Sequence, residues 1–217
     1  HEHAFLRKVL PLSNGIDAAA YELKPGEEAA QHTSPTVLFV GRLAEEKHID
    51  VLIDALSKTP SALDIHLEIV GGGEVRPALE AQVERLGLQD RVKFLGLASD
   101  EELRRAYLSA DLFCMPGTAE LQSLVTLEAM SASTPVVLAD AMALPHLVRD
   151  GENGYLFTPN DSDDLASKIE RVLSLPADER AAMGKASRSM VESHSIERTL
   201  QTFEDIYRGA SYDDLVL

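Results

Sequence analysis

The sequence predicts an α/β domain, a Rossmann-like doubly wound parallel sheet with helices on both faces. Three observations carry this. Apolar runs of strand length alternate with helix-like stretches from Thr36 to Phe157. The runs are short and nearly continuous, as strands covered on both faces read. Several end in glycine or proline, at Gly41, Gly71 and Pro116, where a strand gives way to a loop. Alternation of this kind builds right-handed crossovers and puts ligands at the carboxyl ends of the strands.

Strands are expected near Lys8–Leu12, Thr36–Val40, His66–Val70, Val92–Leu95, Asp111–Met115, Pro135–Leu138 and Gly154–Phe157. Between them lie helical stretches near Ile49–Lys58, Arg76–Leu86, Asp100–Ser109 and Leu121–Ser131, with a short one at Pro145–Val148. The Leu121 helix carries Leu121, Leu124, Val125, Leu127 and Met130 at helical spacing among good helix formers. After Phe157 the chain turns helical, over Ser162–Leu175, Ala177–Ser193 and Ile196–Arg208. Ala18 to Ser34 is polar, contains proline and glycine, and reads as a loop. Residues 1–217 therefore read as one domain with its last helices within 162–208, and no internal repeat is visible.

Composition narrows the function. Of 217 residues, 45% are apolar, ordinary for a globular protein. The net charge of −16 argues against a nucleic-acid or anionic-membrane surface on this chain. In so acidic a chain, Arg42 with Lys47 stands out as a local pair of cations. The single cysteine, Cys114, excludes an internal disulfide framework and fits a reducing, cytoplasmic compartment. No apolar stretch reaches membrane-spanning length and the first residues are no signal peptide. The sequence does not start with Met, as expected of a piece of a longer protein. His1-Glu2-His3 reads as a frayed terminus, and no histidines have metal-ligand spacing.

Chemistry concentrates in PGTAELQSLVTLEAMSASTP, residues 116–135. Glu120 stands at the mouth of the expected helix and Glu128 about 12 Å further along it. On a continuous helix the two would differ by about 80° and could not meet, so they are not an acid/base pair of the two-carboxylate hydrolase kind. Two readings remain on the residues alone. Either Glu120 favours the helix start electrostatically and Glu128 is solvated, or each meets a different part of one polar ligand. Helix-start amides would then face a phosphate between them. Arg42 and Lys47, after the turn at Gly41, either pair with Glu45 and Glu46 or face a diphosphate at a strand end. Gly71-Gly72-Gly73 is either a close backbone approach to a ligand or an ordinary strand-to-helix turn. Its spacing is not that of a nicotinamide-dinucleotide fingerprint.

These motifs fall in an order that resembles the second domain of family-four retaining glycosyltransferases of GT-B fold. Glu120, Glu128 and the following AMSASTPVV resemble their donor-binding signature. SNGID at 13–17, VLFVGRLAEEKHIDVLIDAL at 37–56, IVGGGE at 69–74, VKFLG at 92–96, SADLFCMPG at 109–117 and DGENGYLFTPND at 150–161 match in sequence. The resemblance runs from about residue 9 to residue 174. It implies a donor site for a UDP- or GDP-linked hexose, with no metal and no separate cofactor. Arg42 and Lys47 would stabilise the leaving diphosphate, and Glu120 would meet the donor sugar. The amides of Ser123, Leu124 and Val125 would face the phosphates, and Glu128 would hold the ribose. Gly71, Gly72, Leu97 and Ala98 would lie along the nucleotide, Leu97-Ala98 next to the base. The acceptor site would belong to an N-terminal domain outside this sequence, onto which the last helix crosses. Any contact with the inner membrane would come through that domain.

The chain departs from the family in four places. Gln122-Ser123 replaces Phe-Gly, His48 and Ser133 each replace Gly, and Ala143-Leu144-Pro145-His146 replaces a Gly-Gly-x-x-Glu stretch. Serine in place of glycine is tolerable only where φ is negative. The departures leave room for a nucleotide-sugar binding module without transfer, or for a relative that epimerises the sugar. An oxidoreductase fits least.

Overall fold

The computed structural model describes Leu12, residues 14–29 and residues 32–211. The expected strand at Lys8–Leu12, apart from Leu12, lies outside these residues, as do His1–His3 and Ser13.

The apolar runs form six strands: β1 Thr36–Val40, β2 His66–Val70, β3 Val92–Gly96, β4 Leu112–Met115, β5 Val136–Ala139 and β6 Gly154–Phe157. All pairings are parallel and the order is β3-β2-β1-β4-β5-β6. β1, β4 and β5 are buried at every position, which is why their sequences are continuously apolar. β3 is an edge strand, and Lys93 on it reaches Glu68 of β2 at 3.6 Å. A charge on the edge discourages pairing with a further strand.

Among the described residues the α-helices are α1 Ile49–Lys58, α2 Arg76–Arg85, α3 Asp100–Ser109, α4 Leu124–Ser131, α5 Ser162–Leu173, α6 Ala177–Val191 and α7 Ile196–Tyr207. α1 packs on α2 and α5, while α4 packs on α3 and α6, giving one layer per face. α1 buries Ile49, Leu52, Ile53 and Leu56, the i, i+3, i+4, i+7 stripe of an amphipathic helix. Ser99 and Glu102 form a capping box at the start of α3. Asp161 accepts from the amides of Asp163 and Asp164 at the start of α5, both at 3.0 Å. α7 buries none of its residues; Leu200, Phe203, Ile206 and Tyr207 are all exposed. The short stretch expected at Pro145–Val148 is a 3-10 turn, Leu144–Leu147.

Of the segment Ala18–Ser34, expected as a plain loop, residues 18–27 are docked. It opens with a 3-10 turn, Ala18–Tyr21, capped by Asp17. Arg104 of α3 holds it, donating to Ala20 O at 3.0 Å, to Glu22 O, and in a fork to both Glu27 oxygens at 2.7 and 2.6 Å. Arg188 of α6 donates to Ala18 O at 3.3 Å and pairs with Glu22. Hydrogen bonds from Arg104, then from the Lys24 amide, hold the Glu27 carboxyl down at about 2. Arginine's planar fork suits such a clamp on backbone and carboxylate together.

α4 ends in a Schellman motif. Thr134 N bonds Ala129 O at 3.2 Å and Ser133 N bonds Met130 O at 3.0 Å. The motif requires a left-handed residue, and Ser133 supplies it at φ 60. The rule that serine is tolerable here only at negative φ therefore fails at Ser133; the two cap hydrogen bonds hold the serine in place. At Ser123, φ is −88, as expected. Against the end of α4 lies Gly184 of α6, where a Cβ would stand 1.9 Å from Ser133 O.

Two outcomes follow from these contacts. Ser133→Gly relieves about 1–2 kcal/mol of left-handed strain against roughly 0.5–1 kcal/mol of extra chain entropy. A net gain of about 1 kcal/mol raises the melting temperature by about 2–4 °C in a chain this size, readable by calorimetry. For Glu27, a folded pKa near 2, below the ordinary 4.5, means its clamp stabilises the fold above pH 4.5. That contribution is lost as pH falls from 4.5 towards 2. Urea midpoints of wild type and Glu27→Gln should differ near neutral pH and converge through that window.

Candidate functional site

The strand order reverses between β1 and β4, so the loops after these two strands open side by side at the carboxyl edge of the sheet. Lys47, from the β1 loop, forms an ion pair with Glu120 from the β4 loop, and their side chains are only 20% and 10% exposed. Beside it, His48 Nε2 lies 2.9 Å from Thr118 Oγ1 and Thr118 N donates to Glu46 O at 3.3 Å. Gly117 fits against the pair; a Cβ there would be 3.4 Å from Glu120 Oε1 and 3.5 Å from Lys47 Cδ. His48 adopts φ 48, the conformation for which glycine is suited, and the Thr118 contact holds it there. Arg42 is the exposed cation of the site and pairs with Glu46. The two cations thus divide the readings left open. Arg42 takes the neighbouring acid, whereas Lys47 passes over Glu45 and Glu46 to reach Glu120.

A cleft of about 390 Å³ runs along the ends of β1, β2 and β3, bounded by Gly41, Arg42, Gly71, Gly72, Leu97 and Ala98. Its floor is backbone. A Cβ on Gly71 would stand 1.9 Å from Gly41 O, and one on Gly73 2.0 Å from Leu43 O. Gly71 has φ 136, so glycine is required there on both counts. Gly71 and Gly73 therefore let the two strand-end loops pack, and Gly71 and Gly72 both line the cleft, Gly72 opposite Leu97. Leu97 is 88% exposed on the rim.

α4 starts at Leu124, three residues later than expected. The Glu120 carbonyl is taken outside the helix, accepting from Ala143 N at 3.1 Å, and the Gln122 side chain accepts from Asn14 N at 3.0 Å. Glu120 is consequently off the helix, and the 80° argument, which assumed a continuous helix, does not apply to it. The inference that the two acids do separate jobs stands on other geometry, since Glu120 meets Lys47 and Glu128 faces α3. Thr126 makes the first backbone hydrogen bond of the helix, to Ser123 O, so the Leu124 and Val125 amides lie ahead of the ladder at its start. Ser123 is buried and its Oγ accepts from Thr126 Oγ1 at 2.8 Å.

Sequence reasoning missed the tyrosines. Tyr107 Oη donates to Glu128 Oε2 at 2.7 Å, and Tyr21 meets Tyr107 edge-on at 5.6 Å. Burial first, then the charge and hydrogen bonding of Glu128, push both phenols well above their ordinary value. A signal existed. Tyr107 lies four residues after Leu103 on an inward face, and a buried tyrosine hydroxyl needs a partner. Cys114 is fully buried in β4, and burial pushes its thiol up, so it is a core residue. Among the described residues no three His, Cys, Asp or Glu gather as metal ligands, and no helix is long and apolar enough to cross a membrane.

A family model described as glycosyl transferases group 1 matches residues 21–190, a span that contains every one of these site residues from Arg42 to Glu128. An uncharacterized glycosyltransferase of Methanocaldococcus jannaschii is 30% identical over 212 residues, covering 94% of this chain and 54% of that protein. Among solved structures, HepE of Anabaena in complex with UDP-glucose matches with a TM-score of 0.79 at 28% identity, over 91% of this chain and 56% of that one. Sucrose-phosphate synthase of Thermosynechococcus elongatus matches with a TM-score of 0.81 at 29% identity, over 95% and 55%. The chain spans about half the length of these three proteins. With the reversed strand order and the loops that open at it, these matches show that the chain belongs to the group 1 glycosyltransferases, in the Rossmann-like half of their GT-B fold.

Proposed function

We propose that this chain is the donor-binding domain of a retaining, metal-independent glycosyltransferase that moves a hexosyl group from a UDP- or GDP-sugar to an acceptor. The observation that carries the reading is the Lys47–Glu120 pair across the β1/β4 crevice, with Arg42 and the start of α4 beside it. As the bond between sugar and diphosphate breaks, negative charge grows on the leaving diphosphate. Fixed cations and helix-start amides stabilise that charge more in the transition state than in the ground state. Arg42, Lys47 and the amides of Ser123, Leu124 and Val125 have this role, and together supply the charge that a metal would otherwise bring. Glu120 orients Lys47 and meets the donor sugar. Glu128 accepts from the ribose hydroxyls, while Gly72, Leu97 and Ala98 line the nucleoside end of the cleft. The matched HepE structure holds UDP-glucose, which supports a nucleotide-sugar as ligand.

In this reading residues 1–217 are one domain, the acceptor site lies on a domain outside the sequence, and the chain alone does not turn over. The location is cytoplasmic, with any membrane contact made by the other domain. A binding module without transfer is the second reading. It is favoured by Ala143, whose amide is taken up by Glu120 O where the family has its glycine pair.

Titration calorimetry with UDP, GDP and ADP in the presence of a chelator tests the first reading. One nucleotide should bind saturably, and Glu128→Gln should weaken it about tenfold or more, the loss of a hydrogen bond to a charged group. Binding of none by a folded sample would overturn the donor site. Arg42→Ala should weaken the nucleoside diphosphate by about tenfold to a hundredfold and leave the nucleoside nearly unchanged. Equal losses for both would assign Arg42 to folding instead.

A further inference from the structure

Glu128 is half-buried, and its surroundings are built rather than incidental. Tyr107 is fully buried, and its hydroxyl donates to Glu128 Oε2 at 2.7 Å. Its ring is wedged between Tyr21, at 5.6 Å, and Phe113, at 6.2 Å, so it has no freedom to swing. Tyr21 is itself delivered by the segment that Arg104 and Arg188 clamp down. A carboxylate has roughly four lone-pair sites. Tyr107 fills one on Oε2, the Tyr21 hydroxyl engages the same carboxylate, and the remaining sites are left for a ligand. Neighbouring hydroxyls of a ribose need two acceptor sites at fixed spacing, and a glutamate with three free torsions offers them only part of the time.

We propose that Tyr107 is a positioning residue for ribose recognition: by holding one oxygen of Glu128 it fixes the carboxylate so that its remaining lone pairs face the vicinal hydroxyls of a nucleoside diphosphate. This rests on the donor-site reading of Glu128. The tyrosine never touches the ligand. It acts by keeping Glu128 in one orientation before the ligand arrives, which lowers the ordering cost of binding. Its removal therefore reduces the preference for ribose over deoxyribose, whereas a tyrosine that merely staples α3 to α4 would change stability and leave that preference intact.

The test is calorimetry of the protein with UDP and 2′-deoxy-UDP, with GDP and 2′-deoxy-GDP alongside. Wild type should prefer one ribonucleotide over its deoxy form by about tenfold or more. Tyr107→Phe keeps the ring and its packing. It should weaken the ribonucleotide by about three- to tenfold, weaken the deoxy form less than about twofold, and so lower the ratio. In a Glu128→Gln background the same change should leave the ratio where it is. Glu128→Asp moves the ribose-facing carboxylate itself and serves only as the control that the ratio depends on Glu128. Should Tyr107→Phe not fold, Tyr107→Leu, which also removes the hydroxyl, takes its place. A ratio that survives in the folded Tyr107 variant overturns the assignment alone. Wild type that binds neither nucleotide overturns the donor-site reading, and this assignment with it. Wild type that binds both forms equally overturns the ribose role of Glu128 on which the assignment rests.

Discussion

The Lys47–Glu120 ion pair is the constraint on which the rest of the site depends. It joins the two loops that the reversal of strand order sets side by side. Both side chains are largely shielded from water, so separating the loops would leave a shielded charge without a partner. Breaking one half of such a pair typically costs about 3–5 kcal/mol. The other cross-loop contacts follow from that proximity: Thr118 reaches both Glu46 O and His48 because Lys47 brings the loops to hydrogen-bond distance. The left-handed backbone at His48 is maintained by the same strap. Under the donor-site reading, the Lys47 ammonium is thus held in place before a ligand arrives, the condition under which electrostatic stabilisation is most effective.

Around this pair the site is made of backbone more than of side chains. Gly71 and Gly73 let the second strand-end loop lie directly on Gly41 and Leu43, with Leu43 N bonded to Gly72 O at 2.9 Å. A floor of that kind cannot collapse or reshape by rotamer changes. The variable parts are the rim, Leu97, and the wall carrying Glu128. That wall is fixed from outside, by Arg104 and Arg188, whose bonds to the Tyr21 segment span 77–84 and 166–170 residues of sequence. Two arginines therefore link an irregular stretch of chain to the orientation of a carboxylate neither of them contacts.

Much of this was legible in the sequence. Continuous apolar runs specified buried parallel strands because β1, β4 and β5 are covered on both faces. Arg42, Lys47, Glu120 and Glu128 stand out through the resemblance of their motifs to the glycosyltransferase signature; on local sequence alone each reads equally as a solvated charge. What was not legible depends on long-range pairing. Nothing local to Lys47 distinguishes Glu120 from Glu45 or Glu46. The start of α4 was read too early because Leu121 fits the helical period, while the partners of the Glu120 carbonyl and the Gln122 side chain are Ala143 and Asn14, both distant in sequence. Ala18–Ser34 has the composition of a solvated loop, and its docking rests on arginines that look like surface residues. Serine disfavours left-handed backbone, but at Ser133 propensity gives way to the two cap hydrogen bonds.

The overall charge of −16 gives the cation pair a further meaning. A doubly or triply negative ligand is repelled by most of this surface and attracted only within a short distance of Arg42 and the start of α4. At physiological ionic strength, fields from exposed charges fade over about 8 Å. Salt therefore screens the distant repulsion more than the close contacts, so moderate salt speeds the encounter of an anionic ligand instead of slowing it. Under the donor-site reading, the acidic exterior disfavours polyanions at large, and Arg42 exchanges its Glu46 partner for the one anion that fits the cleft.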